Sequence, residues 1–394
     1  MPNFLCKNHI NVWVPGFLNF KGGIQVFSGN MIKILENLSP ELFSLSVFSM
    51  HDTHVNKRLY AKQSSEETSL EQITYYFSGS IPSNIRSWFY GFQILLFSFI
   101  QKPNLIISTH LHFSPIAYYL KIYFGISYWV VAHGLEAWDI HRSSVVNALK
   151  NADCILAVSS YTRDRLLVEQ QIPHEKICIF PNTFDSTQFA IAPKPSYLLD
   201  RYRLQSNQLT LLTVARLADS KRFKGYDQVL KALPSIRQIL PTIHYLIIGK
   251  GPDRPRIKQL IDQLDLQDCV TLAGFVPDNE LGDHYNLCDV FAMPSKREGF
   301  GIVYLEALAC GKPALGGNQD GAVDALCGGK LGALVDPDDL EAIAQTLIQM
   351  LQGTYPNPLM YQPKALRQAV IDTYGMAAFQ RRLADLLQEQ GILP

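Results

Sequence analysis

The sequence predicts an α/β protein built from two doubly wound domains. Its 394 residues exceed the length at which a single hydrophobic core usually stops growing, so two domains of ordinary size are expected. Short β-rich runs alternate with helical patterns up to residue 182, and the same alternation begins again near residue 208, after a loop that contains two prolines. This pattern is typical of parallel sheets covered by helices, and it predicts a junction near residues 186–208.

Short β-rich runs predict the strands of both halves. In the first half the strands are INVWVPGF, LSVFSM, NLIISTH, YWVVAHG, CILAVSS and KICIFPN. In the second half they are LTLLTVARL, HYLIIGKG, CVTLAGFV, DVFAMPS and KPALGG, with helices over 227–239 and 254–264. The tail YGMAAFQRRLADLLQEQ has apolar residues on one side and charges on the other, which predicts an amphipathic helix.

The composition excludes some classes of protein. Lys+Arg and Asp+Glu number 35 each and the pI is near 7.1, so no nucleic-acid partner is expected. The seven cysteines are scattered in apolar runs, which predicts buried thiols in a reducing compartment, and the N-terminus predicts no signal peptide. The apolar run at 87–100 is shorter than the roughly 20 residues of a spanning helix. It predicts a buried helix, with an aromatic helix lying on a bilayer as the alternative.

The segment REGFGIVYLEALACGKP carries the main functional signal. The spacing of its apolar residues predicts a helix that begins at Gly301 or Ile302, directly after the turn from Gly299 to Phe300. Unpaired N–H groups at a helix start beside glycines suit an anion. Glu306, one turn into the helix, could accept hydrogen bonds from the two hydroxyls of a ribose. Glu298 would face neutral hydroxyls, or would simply be an acid stabilised by the helix dipole.

Cations and further glycines follow other predicted strands. Arg216 and Lys224 lie in ARLADSKRFKGYD and suit a diphosphate, although a solvated basic loop is the alternative. Gly249 and Gly251 form a turn that a tight strand-to-helix connection also explains. The carboxyl ends of parallel strands meet at one edge of a sheet, where ligands bind in α/β proteins, so we expect these residues to share that edge.

The first half offers a similar set of residues. Gly22 and Gly23 lie between a strand and a helix, where backbone N–H groups could face a ligand. His133 ends another strand, and strand-end histidines often only contact backbone. His110 and His112 have no cysteine or acid beside them, so no metal site is predicted.

Across nearly the whole chain these segments resemble the retaining glycosyltransferases of family 4. Glu298 and Glu306, separated by seven residues, match the E-x7-E signature, and FKGGIQV, VVAHG, AVSSYTRDRL, IFPNTFD, VARL with FKGYD, and IIGKGPDRPRI resemble the other family segments. Two departures are present. Asn182-Thr183 stands where many relatives have Asn-Gly, and NQDGAVDAL supplies Gly321 and Asp324 in place of a Gly-Gly-x-x-Glu pattern.

The resemblance implies a GT-B architecture of two Rossmann-like domains that face each other across a cleft. Residues 1–190 would form the acceptor-side domain, 191–370 the nucleotide-sugar domain, and 371–394 a helix that crosses back to the first. As catalytic residues it implies Arg216 and Lys224 on the diphosphate, Glu298 on the transferred sugar and His133 on a sugar hydroxyl. As donor-binding positions it implies Glu306 on the ribose together with Gly22, Gly23, Gly249, Gly251, Gly299, Phe300, Gly301 and Ile302.

The function implied is transfer of a hexose from a UDP- or GDP-sugar to an acceptor hydroxyl with retained configuration, in polysaccharide, glycolipid or other glycoconjugate synthesis. No cofactor or metal is expected. The partners expected are the donor and a carbohydrate or lipid-linked acceptor, in the cytoplasm, with peripheral contact at the inner face of the membrane left open. The alternatives are a catalytically silent nucleotide-sugar-binding module and a GT-B epimerase or hydrolase of nucleotide sugars.

Overall fold

The computed structural model describes residues 8–18, 22–38, 43–54, 73–218 and 223–393. The chain divides into two compact units, one of Met1–Thr183 with Phe379–Pro394 and one of Phe184–Ala378. Each unit has its own parallel sheet covered by helices, so the predicted α/β class with two doubly wound sheets is confirmed. The predicted ranges 1–190, 191–370 and 371–394, with their roles, remain predictions.

The first unit is built on a seven-stranded sheet in the order β3-β2-β1-β4-β5-β6-β7. The strands are β1 (Asn8–Val14), β2 (Phe43–Ser49), β3 (Ile73–Phe77), β4 (Leu105–Ser108), β5 (Ser127–Ala132), β6 (Cys154–Ala157) and β7 (Ile177–Ile179). The helices are α1 (Gly23–Leu38), α2 (Ser83–Gln101), α3 (Ser114–Phe124), α4 (Ser143–Asn151) and α5 (Ser160–Gln170).

The second unit has a six-stranded sheet in the order β10-β9-β8-β11-β12-β13. The strands are β8 (Thr210–Val214), β9 (His244–Ile248), β10 (Val270–Gly274), β11 (Val290–Met293), β12 (Ala314–Gly317) and β13 (Ala333–Val335). The helices that belong wholly to it are α6 (Ser196–Tyr202), α7 (Tyr226–Ile239), α8 (Arg254–Gln263), α9 (Asp278–Leu287), α10 (Ile302–Ala309), α11 (Ala322–Ala325), α12 (Leu340–Gln352) and α13 (Pro363–Tyr374).

Helix α14 (Met376–Glu389) lies within the tail that was predicted to be an amphipathic helix. Most of its residues belong to the first unit. The ring of Phe379 packs edge-on against Phe180, with centroids 4.5 Å apart, and against Phe27 of α1 at 5.5 Å. Leu383 and Leu387 are fully buried on the same side of the helix. The apolar stripe of the tail is therefore what holds the chain end to the first unit.

The strands have the composition that a sheet covered on both sides requires. Buried parallel strands read as continuous apolar runs because neither face meets water. In β9 all five residues are buried, and in β5 all but the first are. Every run predicted as a strand overlaps an observed strand, whereas β3 and β13 were not predicted.

Each sheet reverses its strand order at one point, and this is where ligands bind in open α/β sheets. In the first unit the reversal lies between β1 and β4, and in the second between β8 and β11. The loops that follow these four strands, and those that follow their neighbours β5 and β9, carry the residues that the sequence analysis selected.

One expectation of the sequence analysis is wrong in part. Helix α2, which contains the apolar run at 87–100, is buried on one face only. Trp88 is 82% exposed and Phe92 is 61% exposed, so the outward face of the helix is apolar. Within the described ranges no helix is both long enough and apolar enough to cross a membrane.

Candidate functional site

The loops after β8 and β9 pack backbone against backbone. A Cβ atom on Gly249, whose φ is +144°, would lie 1.8 Å from the carbonyl oxygen of Ala215, and one on Gly251 would lie 1.8 Å from that of Leu217. Only glycine fits at either position. The contact fixes the loop that carries Arg216, whose side chain is exposed at the carboxyl edge of the sheet. The close packing of the two loops therefore requires both glycines, and their role in donor binding stays a prediction.

Lys224 and Glu298 form an ion pair between the loop before α7 and the loop after β11. The Nζ of Lys224 donates a hydrogen bond to the Glu298 carboxylate, and the two side chains are only 18% and 15% exposed. The loops lie so close that a Cβ atom on Gly225, whose φ is +86°, would be 2.4 Å from the carbonyl oxygen of Pro294. The glycine after Lys224 thus allows the approach that brings the ammonium to the carboxylate.

The backbone around Glu298 is fixed by neighbouring loops. Its N–H donates to the Asp320 carboxylate at 2.7 Å, and its carbonyl oxygen accepts from the N–H of Gly321 at 2.8 Å. One carboxylate oxygen accepts from the N–H of Gly299 at 3.2 Å. A Cβ atom on Gly321 would lie 2.1 Å from the Gly299 carbonyl oxygen, so the two loops are in direct backbone contact.

The turn into α10 has the predicted form. The helix begins at Ile302, as expected, and Gly301 before it has φ +91°, in the left-handed region that favours glycine. Phe300 is fully buried and packs edge-on against Tyr374, with ring centroids 5.4 Å apart. No described side chain caps this N-terminus by a hydrogen bond. A buried anchor and a glycine therefore set the direction of the first turn.

Glu306 lies one turn into the same helix and is half-buried. The hydroxyl of Tyr285 in α9 donates to its carboxylate at 2.6 Å. Burial raises the pKa of Tyr285 well above its usual value, so this hydroxyl keeps its proton and remains a donor. This hydrogen bond orients the Glu306 carboxylate.

Asp320 and Ser295 are candidate site residues that the sequence analysis did not select. Asp320 is 1% exposed, and its carboxylate accepts from the Ser295 hydroxyl at 2.7 Å, from the Glu298 N–H at 2.7 Å and from the Ala322 N–H at 2.9 Å. Burial raises the pKa of Asp320 to about 7, against the opposing effect of these donors. The one available sequence signal was its place among the departures from the family pattern.

His133 follows β5 in the first unit and is half-buried. Its Nε2 lies 3.1 Å from the Thr109 carbonyl oxygen, and its backbone N–H donates to the Glu136 carboxylate at 2.5 Å. Burial lowers the pKa of His133 to about 3, so the ring is neutral at ordinary pH. Because a carbonyl only accepts, Nε2 carries the single ring proton and Nδ1 is left as an acceptor.

Gly22 and Gly23 open helix α1, as predicted. The Val26 N–H donates to the Gly22 carbonyl at 3.0 Å, and Phe27, one turn after Gly23, packs edge-on against the His133 ring with centroids 4.9 Å apart. The glycine turn and His133 are therefore neighbours in the first unit. Residues 19–21, which precede this turn, lie outside the described residues.

Other polar side chains share this edge of the first sheet. The Asp52 carboxylate accepts from the Phe17 N–H at 2.8 Å and the Leu18 N–H at 3.2 Å, which ties the loop after β1 to the end of β2. Burial lowers the pKa of His110 to about 4, and the nearby His112 adds to this effect. Among the described residues no group of His, Cys, Asp or Glu could hold a metal ion.

The predicted residues fall into two sets, one in each unit. In the second unit the structure brings together Lys224, Glu298 and the Gly299–Ile302 turn, and it puts Arg216 on the neighbouring strand end. In the first unit it brings together His133 and the start of α1. The first set can neutralise an anion and the second can accept a hydrogen bond from a hydroxyl.

Two family models and several known proteins match this chain. The model of glycosyl transferases group 1 matches residues 199–388, and that of glycosyltransferase family 4 matches residues 47–188. A GDP-mannose-dependent alpha-(1-6)-phosphatidylinositol monomannoside mannosyltransferase of Mycolicibacterium smegmatis is 31% identical over 267 residues, which are 65% of this chain and 68% of that protein. The colanic acid biosynthesis glycosyltransferase WcaL of Escherichia coli, a putative assignment, is 28% identical over 272 residues, covering 66% and 63%.

A solved structure extends the likeness to the fold of the whole chain. HepE of Anabaena, in complex with UDP and glucose, superposes with a TM-score of 0.74 at 17% identity, over 97% of this chain and 100% of that one. The two sheets with their helices are thus those of the GT-B fold. The chain belongs to glycosyltransferase family 4.

Proposed function

We propose that this glycosyltransferase moves a hexose from a nucleoside diphosphate sugar to an acceptor hydroxyl with retention of configuration. The observation that carries the proposal is the Lys224–Glu298 ion pair beside the glycine turn at the switch point of the second sheet. Named relatives support two donors, because the mycobacterial protein is named for GDP-mannose and HepE was solved with UDP and glucose. UDP- and GDP-sugars are therefore both candidates.

In this proposal Arg216 and Lys224 bind the diphosphate. Their charges stabilise the negative charge that grows on the leaving group as the sugar bond breaks. Lys224 already faces a carboxylate, so the incoming diphosphate would share this ammonium with Glu298. The shared cation is what lets an acid lie next to an anion site without strong repulsion.

Glu298 would bind the transferred sugar, and Glu306 would bind the ribose hydroxyls. The backbone of Glu298 is held by Asp320 and Gly321, so its carboxylate has a defined position next to the turn. The Tyr285 hydroxyl holds Glu306 in the same way. Positions fixed before the substrate arrives reduce the ordering that the reaction requires. The glycines at 22, 23, 249 and 251, with the turn at 299–302, would let the donor approach the backbone.

His133 would accept a hydrogen bond from a sugar hydroxyl through Nδ1. A ring with a pKa of about 3 carries no proton on that nitrogen near neutral pH, so it cannot serve as a general acid there. The acceptor proton would go to the departing diphosphate on the same face of the sugar, which gives retention. In this scheme the cations do the work that a metal does in other transferases, and no metal is required.

The acceptor proposed is a carbohydrate or a lipid-linked carbohydrate in glycoconjugate synthesis, in the cytoplasm. Support comes from WcaL, which is named for colanic acid biosynthesis, and from the mycobacterial relative, which is named for a phosphatidylinositol mannoside.

Release of nucleoside diphosphate from a panel of UDP-, GDP- and ADP-sugars, with and without sugar acceptors, tests the proposal. We expect one donor to be consumed faster when an acceptor is present, and we expect the product to have the donor's anomeric configuration by proton NMR. An inverted product would contradict retention. Consumption that no acceptor accelerates, with free sugar or an epimer as the product, would contradict transfer.

A further inference from the structure

Five basic side chains follow neighbouring strand ends at the carboxyl edge of the first sheet. They are His51 after β2, Arg86 in the first turn of α2 after β3, His110 and His112 after β4, and Arg142 directly before α4. We call these five residues the basic band. The proposed reaction uses none of them.

The members of the basic band are neighbours in space. Nη1 of Arg86 lies 3.3 Å from Nδ1 of His51, and the rings of His110 and His112 have centroids 4.7 Å apart. After burial, the charges that lower the pKa of His110 are those of His112 and His51, and the charge that lowers the pKa of His112 is that of Arg142. Each member of the band therefore lies close to the next along the edge.

Two histidines of the band present N–H donors. A guanidinium only donates, so Nδ1 of His51 accepts from Arg86 and the ring proton of His51 is on Nε2. The backbone N–H of His112 donates to Nδ1 of His110 at 3.2 Å, so His110 also carries its ring proton on Nε2. Burial lowers the pKa of His51, and it lowers that of His110 to about 4, so both rings are neutral donors near pH 7.

The guanidinium groups of the band have no carboxylate partner within the described residues. The acid beside His51 is Asp52, and it already accepts from two backbone N–H groups and from the Ser49 hydroxyl at 2.7 Å. Arg86 donates instead to the Ile81 carbonyl oxygen at 2.9 Å and to His51. The positive charge of the band is therefore not neutralised by an ion pair in this part of the chain.

The helix starts at this edge add to the positive potential. The first turns of α1, α2, α3 and α4 contain no acidic residue. Acids are common in first turns, because the N-terminus of a helix carries a partial positive charge. Arg86 and Arg142 thus lie at helix starts that disfavour a cation, and a bound anion would offset this cost.

We propose that the basic band binds a phosphate group that the acceptor carries. Oxygens of a phosphate dianion accept hydrogen bonds, which matches the Nε2–H groups of His51 and His110, and guanidinium groups suit phosphate because they can donate in a bidentate way. The charge of His110 also lowers the pKa of His133, so the band lies beside the histidine that is proposed to contact a sugar hydroxyl. The link to the acceptor rests on the proposed function, whereas phosphate binding does not.

Histidine ring spectra of the full chain test phosphate binding without an activity assay. In protein with ¹⁵N-labelled histidine, we expect His51 and His110 to be Nε2–H tautomers whose signals shift on addition of inorganic phosphate. Loss of each signal in His51→Gln or His110→Gln assigns it. This readout distinguishes the band from any phosphate bound near Arg216 and Lys224, because it reports on the first unit.

The variant Arg142→Gln tests the charge of the band. The Arg142 side chain is exposed and makes no hydrogen bond to a described residue, so its loss should not affect folding, which far-UV circular dichroism verifies. The phosphate affinity read from the His110 signal should fall by about tenfold or more, as expected for loss of a charge-assisted hydrogen bond. Lys102→Gln, at the other end of α2 from Arg86, is the matched control and should bind phosphate as the wild type does.

Two probes distinguish the sources of the phosphate. Glucose 6-phosphate represents a soluble sugar phosphate, and dihexanoyl phosphatidic acid represents the phosphate of a lipid carrier. The probe that shifts the His110 signal at the lower concentration identifies the source, and glucose itself should cause no shift. In the donor-consumption assay, the same probe should inhibit acceptor-dependent consumption, and Arg142→Gln should need about tenfold more of it.

Signals of His51 and His110 that inorganic phosphate leaves unchanged would overturn the phosphate site, whatever the transfer assay shows. Equal shifts in the wild type and in Arg142→Gln would overturn it as well. Phosphate-dependent shifts in a protein that consumes no donor in response to any acceptor would contradict the proposed function, and with it the link between this phosphate and an acceptor.

Discussion

The ammonium of Lys224 and the carboxylate of Glu298, 74 residues apart in the sequence, form a hydrogen-bonded ion pair at the carboxyl edge of the second sheet. Both side chains are mostly shielded from water, so removal of one partner leaves the other charge without compensation. The family resemblance assigns the lysine to the diphosphate and the glutamate to the sugar. In the proposed reaction the pair joins these two parts of the donor site.

Loss of a cation should weaken nucleotide binding. We expect Arg216→Ala and Lys224→Ala each to reduce the affinity for UDP or GDP by about tenfold or more, because a charge-assisted hydrogen bond contributes roughly 1.5–3 kcal/mol. Turnover should fall as well, since charge grows on the diphosphate in the transition state. Lys231→Ala, which removes an exposed lysine of α7, is the control. Calorimetry that finds wild-type affinity in both variants would refute the diphosphate assignment.

The substitution Glu306→Gln tests the ribose assignment. The substitution removes the negative charge from the side chain that is proposed to accept hydrogen bonds from the ribose hydroxyls. The glutamine can still accept a hydrogen bond from the Tyr285 hydroxyl, so the fold should be preserved. Free UDP or GDP should bind more weakly by roughly 1.5–3 kcal/mol. Glu341→Gln, on the exposed side of α12, provides a control of the same chemistry. Equal affinity in wild type and Glu306→Gln would show that the ribose is held by other groups.

Protonation of Asp320 should reduce transfer at low pH. Its pKa is raised to about 7, and the ionised carboxylate accepts from Ser295 and from the Glu298 N–H. A proton on this group disturbs the contacts that position Glu298, so the transfer rate should fall as the pH drops below about 7. His133 cannot cause this limb, because its pKa is about 3. The variant Asp320→Asn should be slow at all pH values and lack the limb; an unchanged limb would exclude Asp320 as its source.

The same group should affect stability with the opposite sign. A carboxyl whose folded-state pKa lies above its usual 3.8 favours the folded state most when it is protonated. This contribution is fully present below pH 3.8 and is lost as the pH rises to about 7. Asparagine does not titrate, so the free energy of unfolding of the wild type relative to Asp320→Asn should decrease across this window in denaturant titrations. A difference that does not vary with pH would mean that burial does not raise this pKa.

Chelation should leave transfer intact. The cations of Arg216 and Lys224 can supply the positive charge that the diphosphate needs, and the described residues offer no cluster that fits a metal ion. We therefore expect the same rate of donor consumption before and after treatment with EDTA. Loss of activity on chelation, with recovery on addition of Mn²⁺, would contradict the metal-free proposal.

Most of the fold could be predicted because apolar periodicity is a local property of the sequence. The helix starts at Ile302 and Arg254 follow from spacing and from glycine or proline beside them. Strands β3 and β13 were not predicted: β3 consists of five residues that favour strands, ITYYF, and β13 has only three residues. Short strands gain their pairing partners from the assembled sheet, which a local pattern does not contain.

The site could be predicted only in part, for a similar reason. Strand ends placed Arg216 and Glu298 at one edge, but the ion pair of Glu298 with Lys224 depends on two loops meeting in space. Asp320 is a candidate because of its hydrogen bonds to Ser295 and to the Glu298 N–H, which the sequence does not reveal. An isolated aspartate in a loop predicts only a turn. The apolar run of α2 predicted a buried helix, but only one face of the helix is buried. The composition of a helix does not show how much of its surface other elements cover.

The variant Glu298→Gln tests the central claim, that Glu298 acts on the sugar while Lys224 acts on the diphosphate. The amide keeps the shape of the side chain and removes the charge that pairs with Lys224. The rate of transfer should then fall by about a hundredfold, which is the effect expected when a group that stabilises the charge of the transition state is lost. Affinity for free UDP or GDP, measured by calorimetry, should stay equal or increase, because the ammonium is released from its partner. A loss of nucleotide affinity as large as that of Lys224→Ala, or a normal rate of transfer, would contradict the claim.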